Sequence, residues 1–430
     1  MFRMTAVQRL HAWALVIAPR RAIANELLST LRHAGRLAGV SVEYRSGPNA
    51  LVPPERKAVY LITAKHLFES LCQSGSPATI SGIDLVVCEN LEQLSPSYEL
   101  AVSLLRHATQ SSSTRFIGIS NSLNDPNDLA DWLAVDSYAL HSLKPSDRDQ
   151  SLAVNVSTIS IPYSSTFMKT LAKPVYGVIK GAETAIVFVP SRGHCRTVAL
   201  NLLTQSALEV GLTRGFLPNT VSNDDFDVFL NQFQNSLYHD FVSKGVGFFH
   251  DGVEREEQNA MLQLFAEGVL RVLIVPRDAC WSIPVRAEVV VVMGCQYLQP
   301  GAGGADRQVH DYELTEVAHM QGRAVRQFGT GAFYLFCQPE AKDTYTRFLN
   351  DGLPLESSLL ESQELEAWFR TRSKTSSFNE EQAVDALSFS YLARRIKSNP
   401  SYYDCTRADD SEDLPRLVDA LFTKIRVTES

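Results

Sequence analysis

The chain has 430 residues, 45% of them hydrophobic and 20% charged, with 40 Lys and Arg against 48 Asp and Glu, a formal net charge of −8. That length holds two or three domains with proper cores, and the composition is that of an ordinary globular protein. A net acidic chain has no bulk electrostatic pull on RNA or anionic membrane, so any nucleic-acid contact requires a local groove.

Taken in order, the first third alternates strand and helix signals. The apolar run ALVIA at 14–18 ends at Pro19 and is followed by Ile23, Leu27, Leu28 and Leu31 at helical spacing. Further runs at 59–62, 83–87 and 116–119 repeat the theme. Short apolar runs alternating with helices predict a parallel sheet covered on both faces. AVNVSTISI at 153–161 alternates like a half-exposed strand, and the segment through Lys173 and Pro174 to Gly181 reads as a connector. A second series of strands follows at 185–189, 246–249, 272–275, 289–292 and 332–336, interrupted by a polar insertion at 218–240. Two successive α/β domains imply a cleft beside the C-terminal strand ends.

Before the last of these strands stands HMQGRAVRQ at 319–327, on a helix predicted over 314–325. Arg323 and Arg326 are three apart, hence expected on one helix face. A guanidinium grips phosphate through paired hydrogen bonds and stays charged, which is the chemistry of an arginine finger; alone, a solvated helix face explains the pair as well. From Leu353 the pattern becomes helical. Asn379 and Gln382 resemble a capping box ahead of Val384, Leu387, Tyr391 and Leu392, Pro400 closes that helix, and 414–427 is a second amphipathic helix.

Cys72, Cys88, Cys195, Cys280, Cys295, Cys337 and Cys405 are odd in number and contain no CxxC pair. Such spacing argues against a disulfide framework or zinc site and for a reducing compartment, and no metal ligands are expected. No stretch reaches the roughly 20 apolar residues of a membrane span, and residues 1–10 lack a signal-peptide core. Asp84 and Glu89 flank a single strand and do not converge. His194 and Cys195 are adjacent at a helix start, which is no geometry for a nucleophile and its base.

The order of these stretches resembles that of superfamily-two helicases. Ala18, Pro19 and Arg20 resemble motif Ia, Thr63 stands in a motif usually read TPE, LVVCENLEQL at 85–94 stands at the DExH box, and Ser120, Asn121 and Ser122 at the SAT motif. FVPSR at 188–192 and GFFHDG at 247–252 resemble early motifs of the second lobe, 271–287 motif V, and HMQGRAVRQ motif VI. Pro190, the Cys280–Trp281 pair, KPVY at 173–176 and NPSYY at 399–403 are similar to Ski-type DExH RNA helicases with tandem cassettes, in particular the C-terminal cassette of the spliceosomal members that unwind paired small nuclear RNAs. A ribosome-quality-control relative is the second similarity.

The resemblance implies two RecA-like, doubly wound α/β lobes followed by a mainly helical winged-helix unit. Lobe one is expected at 1–150, a connecting strand and linker at 151–181, lobe two at 182–350, and an incomplete winged helix at 351–430. The departures weigh on function. No GxxxxGK[ST] occurs in the 430 residues, and the chain is expected to be truncated before or at motif I. Cys88 stands for the DExH aspartate and Leu91 for its histidine, while Glu89 is kept; a neutral thiol is a poor partner for Mg²⁺. Motif V has Pro276 for a hydroxyl residue and Ser282 for glycine, and motif VI has His319 for glutamine and Val325 for glycine.

The expectation is therefore a pseudo-helicase cassette in which Glu89, Arg323 and Arg326 are remnants and Cys88, Leu91, Ser282 and His319 mark a degenerate nucleotide site. Pro19, Arg20, Thr63, Pro276 and Arg277 are candidates for a nucleic-acid groove with weak or no RNA contact. ATP and Mg²⁺ are implied by the family, but no cofactor is expected of this chain. Its implied partners are splicing proteins and an active N-terminal cassette, in the nucleus. The alternatives are a fragment of an active ATP-dependent RNA helicase and a freestanding interaction module.

Overall fold

The structure, a computed structural model, describes residues 13–73, 80, 82–148, 151–210, 215–218, 226, 229–300, 307–326, 328–374, 378–405 and 413–429. It divides into two compact units, Met1–Lys144 with Gly352–Ser430, and Pro145–Asp351. Residues 1–10 and Gln327, both used in the sequence reading, lie outside the described residues.

The first unit holds a parallel sheet of order β2-β3-β1-β4-β5, with β1 at Trp13–Ala18, β2 at Ser41–Tyr44, β3 at Ala58–Thr63, β4 at Ile83–Cys88 and β5 at Arg115–Gly118. β1 and β3 are buried along their whole length, as their unbroken apolar runs require of strands covered on both faces. Helix α1 (Arg21–Ala38) follows β1 and buries Ile23, Ala24, Leu27, Leu31 and Gly35, a single stripe. Gly39 ends it in the left-handed region (φ +67°), where glycine carries no Cβ penalty. β2 was not expected: only Val42 of its four residues is buried, too little for a period-two signal. Helices α2 (Ala64–Gln73), α3 (Pro96–Ala108) and α4 (Asn127–Trp132) complete this part.

The second unit contains β6 (Leu152–Thr158), α5 (Ser165–Ile179), β7 (Ala185–Val189), α6 (Arg192–Val210), α7 (Ser236–Val242), β8 (Val246–Phe248), α8 (Arg255–Ala266), β9 (Val272–Pro276), β10 (Val289–Met293), β11 (Gln296–Pro300), β12 (Arg307–Asp311), α9 (Leu314–Gly322), β13 (Gly331–Cys337) and α10 (Lys342–Asp351). Its six-stranded sheet is parallel throughout, in the order β6-β13-β10-β7-β9-β8, and β11 pairs with β12 in an antiparallel ribbon.

Residues 151–181 are built into this unit. β6 is an edge strand in register with β13, Leu152 opposite Gly331 through Thr158 opposite Cys337. The segment read as a connector is α5, which buries Phe167, Leu171, Val175 and Ile179 at four-residue spacing. Pro174 lies inside it on the exposed side, so burial of one apolar face outweighs the hydrogen bond that proline removes. Of the polar stretch 218–240, residues 219–225, 227 and 228 lie outside the described residues; Phe226, Leu230, Phe233 and Tyr238 are buried.

In the first unit the described residues of 352–430 are mainly helical: α11 (Gln363–Ser373), α12 (Glu380–Ser388), α13 (Tyr391–Ser398) and α14 (Asp413–Glu429). Asn379 caps α12 by accepting from the Gln382 amide, as its sequence signature predicts. The single helix expected up to Pro400 is instead two. Ser390 starts α13 by accepting from the Ala393 amide, and a serine that caps a new helix interrupts the old one.

Candidate functional site

The C-terminal ends of parallel strands leave backbone amides and loop side chains available for ligands. In the first unit β4 ends in Cys88, and Glu89 follows it. The Glu89 amide donates to the Ile17 carbonyl of β1 (2.9 Å), extending the sheet by one residue. The hydroxyl of Tyr98 lies 2.8 Å from the Glu89 carbonyl and 3.1 Å from that of Ile17, pinning the same corner from α3. Cys88 has no exposed surface, and burial, with a smaller contribution from the Glu89 charge, pushes its thiol well above the ordinary cysteine range. A buried neutral thiol offers no hard oxygen donor for a divalent cation. The residues here do not fit Mg²⁺–ATP.

Leu91, at the DExH histidine position, is also fully buried, against Gly118. The polar link at this corner is Glu92, which the sequence reading passed over. Its carboxylate accepts from the Asn121 amide (3.0 Å) and side chain (3.2 Å), and from Asn90 (3.1 Å), whose backbone is left-handed at φ 51°. This joins the DExH-like corner to the SAT-like turn. The available signal was a second acid three residues after Glu89. Of the groove candidates here, Arg20 donates from Nε to Gln93 (3.0 Å), Pro19 is partly exposed, and Thr63 is buried with its hydroxyl 3.0 Å from His66 Nδ1.

In the second unit the arginines do not share a helix face. α9 stops at Gly322, so Arg323 is its C-cap and Arg326 lies beyond it. Arg323 is 7% exposed, with Nη2 3.0 Å from His319 Nε2, and His319 packs against Trp281 with ring centroids 4.6 Å apart. Arg326 forms a 3.4 Å ion pair with exposed Glu183. The separation has a tertiary cause: the Arg323 carbonyl accepts from Ala287 next to β10, and Ala324 packs against the start of β13, which ends the helix early. Arg323 is therefore not presented as a finger on the helix surface.

Arg277 is likewise committed. Its Nη1 lies 2.5 Å from buried Glu316, and its guanidinium stacks 3.7 Å from the centre of Tyr297. Burial opposes its charge, but the Glu316 bond and charge outweigh that and hold its pKa above the usual arginine value. Pro276 is buried at the end of β9, and exposed Ser282 closes a local turn by donating to the Ala279 carbonyl (3.1 Å). A cavity of about 520 Å³ lies elsewhere in this unit, lined by Arg271, Arg286, Arg326, Glu183 and Glu267 among others.

Two all-parallel α/β units of these strand orders, followed by helices, are the RecA-like lobes and helical region of a helicase fold. The chain matches the crystal structure of the Escherichia coli DEAH/RHA helicase HrpB with a TM-score of 0.53 at 14% identity, over 97% of this chain and 55% of that one, a likeness of fold alone. By sequence it is 30% identical over 335 residues to the U5 small nuclear ribonucleoprotein 200 kDa helicase of Drosophila melanogaster, covering 75% of this chain and 15% of that protein. It is 28% identical over 404 residues to the Arabidopsis thaliana DExH-box ATP-dependent RNA helicase DExH12 (90% and 18%), and 28% over 364 residues to the pre-mRNA-splicing factor brr2 of Schizosaccharomyces pombe (80% and 16%). The chain thus resembles a DExH-helicase region of these proteins and spans less than a fifth of their length. No protein-family model matches it. Among the described residues no helix is long and apolar enough to cross a membrane.

Proposed function

We propose that this chain is a degenerate helicase cassette, kept as a folded scaffold that supports an active cassette and docks splicing factors during pre-mRNA splicing in the nucleus, with residues 351–430 corresponding to the winged-helix part. The observation that carries this reading is Cys88: the strand end where a helicase holds its metal-bound water carries a fully buried, neutral thiol. Leu91, packed into the core beside it, removes a second polar position. Pro276 removes a backbone donor from motif V, and Arg277 is held by Glu316, which favours weak RNA contact. Losing one electrostatic element typically lowers a phosphoryl-transfer rate by orders of magnitude, so losing several leaves nothing to select.

The test is Mg²⁺-dependent ATP turnover by the full-length protein containing this region, with any other nucleotide site inactivated. We expect none above background, and unchanged association with its splicing partners in Glu89→Gln and Arg326→Ala variants. Turnover that Glu89→Gln abolishes would overturn the reading. It would favour instead an active ATP-dependent RNA helicase fragment, for which the retained, buried Glu89 is the supporting observation.

A further inference from the structure

We infer that the cavity of about 520 Å³ in the second unit is a binding site for a small phosphate monoester, held by Arg271, Arg286 and Arg326. The cavity lies at the N-terminal rim of the six-stranded sheet, the opposite end from Val189, Pro276 and Met293, where β7, β9 and β10 finish. Along that rim β13, β10, β7 and β9 are successive neighbours. Arg271 immediately precedes β9, Glu183 and Thr184 precede β7, Arg286 lies in the turn before β10, and Arg326 in the turn before β13. Neighbouring strand entrances thus deliver three arginines to the lining of one cavity.

The arginines are positioned by bonds that leave donors over. Arg286 donates from Nη1 to the Gly322 (3.3 Å) and Val325 carbonyls, which fixes it beside the turn that carries Arg326. Arg326 donates from Nη2 to Glu183 (3.4 Å), whose side chain is 76% exposed. Half-buried Arg271 is anchored through its backbone, its carbonyl accepting from the Ala185 amide (2.7 Å), and its side chain has no hydrogen-bond or ion-pair partner among the described residues. A guanidinium is a planar fork of N–H donors matched to phosphate oxygens, so each arginine keeps nitrogens for a ligand. An ion pair as exposed as Arg326–Glu183 contributes little, and a phosphate dianion competes for that arginine on better terms. The charge of the lining favours an anion, three arginines against Glu183 and Glu267. Half-buried Pro218 and Val269 add apolar wall, and the volume falls within the roughly 300–1,000 Å³ of small-molecule sites. Together these fit a phosphate carried on a compact apolar body. This inference is independent of whether the chain turns over ATP.

Phenyl phosphate supplies that chemistry and would be titrated into the 430-residue chain by calorimetry, with inorganic phosphate and phenol as its two halves. We expect saturable binding, tighter than that of inorganic phosphate, and none of phenol. Arg271→Gln should weaken it about tenfold, the loss of one charged hydrogen bond. Glu183→Gln should strengthen it severalfold, because it releases Arg326 and removes a negative charge from the lining. Melts without ligand, followed by circular dichroism, should match the parent for both variants, since neither side chain secures the fold. The idea fails if phenyl phosphate does not bind, if phenol binds as well, or if Arg271→Gln leaves the affinity unchanged. An affinity lowered by Glu183→Gln would equally sink it, since the carboxylate would then be part of the recognition rather than its competitor.

Discussion

A carboxyl group sealed from water holds its proton more tightly, and Glu99 in α3 is such a group. Burial raises its pKa from 4.5 to about 7, against the opposing effect of bonds from the Ser357 hydroxyl and the Leu392 amide, both at 2.7 Å. Between those two pH values the folded protein keeps a proton that the unfolded chain has lost. Stability therefore falls as pH rises through that window and levels off above it, a change on the order of 3 kcal/mol. Urea unfolding at pH 5 and pH 8 should show this fall in the parent protein, and Glu99→Gln should flatten it. Cys88 gives the complementary case. Restoring the helicase acid alone, Cys88→Asp, buries a carboxylate beside Glu89 and should cost several kcal/mol, seen as a lower urea midpoint, without conferring ATP turnover. Cys88 was legible as a buried strand end because its neighbours are apolar. Glu99 was not, since the groups that surround it lie more than 250 residues further along the chain.

At the scale of elements, α5 shows how far a pattern can override a local signal. Lys173 and Pro174 read as a break, yet apolar residues at every fourth position carry the helix through them. Proline inside a helix is about 3 kcal/mol worse than alanine, offset by about 0.4–1 kcal/mol of lost freedom in the unfolded chain. Pro174→Ala, on the exposed side, is therefore expected to raise the melting temperature measured by calorimetry, by the equivalent of about 2 kcal/mol. Helix α9 shows the reverse. Apolar spacing continued to Val325, but the helix ends at Gly322 because the chain must turn into β13. A Cβ on Gly331 would sit 1.9 Å from the Ala324 carbonyl, so the close approach that fixes this turn requires glycine there. The short strand β2 and the β11–β12 ribbon escaped the sequence reading because neither has a buried face long enough to set a period.

At the scale of the molecule, the two units differ in how they are cut from the chain. Residues 145–351 are continuous and own a six-stranded sheet, so this segment expressed alone should give a cooperative thermal transition by circular dichroism. Residues 13–144 should not fold without 352–430. The Trp132 indole donates to the Phe389 carbonyl (2.9 Å), Arg395 is bonded to Asp128 and Glu356, and Glu99 would lose both of its partners. The linear pattern carries most strands of both lobes and the motif order, though not β2 or the β11–β12 ribbon, because a buried parallel strand must be an apolar run bounded by turn residues and both are local properties. The tertiary structure alone decided that 151–181 joins the second sheet, that Arg323 is buried on His319, that Arg277 is spent on Glu316, and that Glu92 ties two motifs together. Those outcomes depend on which distant residues meet and how much water they exclude, and neither quantity has a period that a linear pattern can carry.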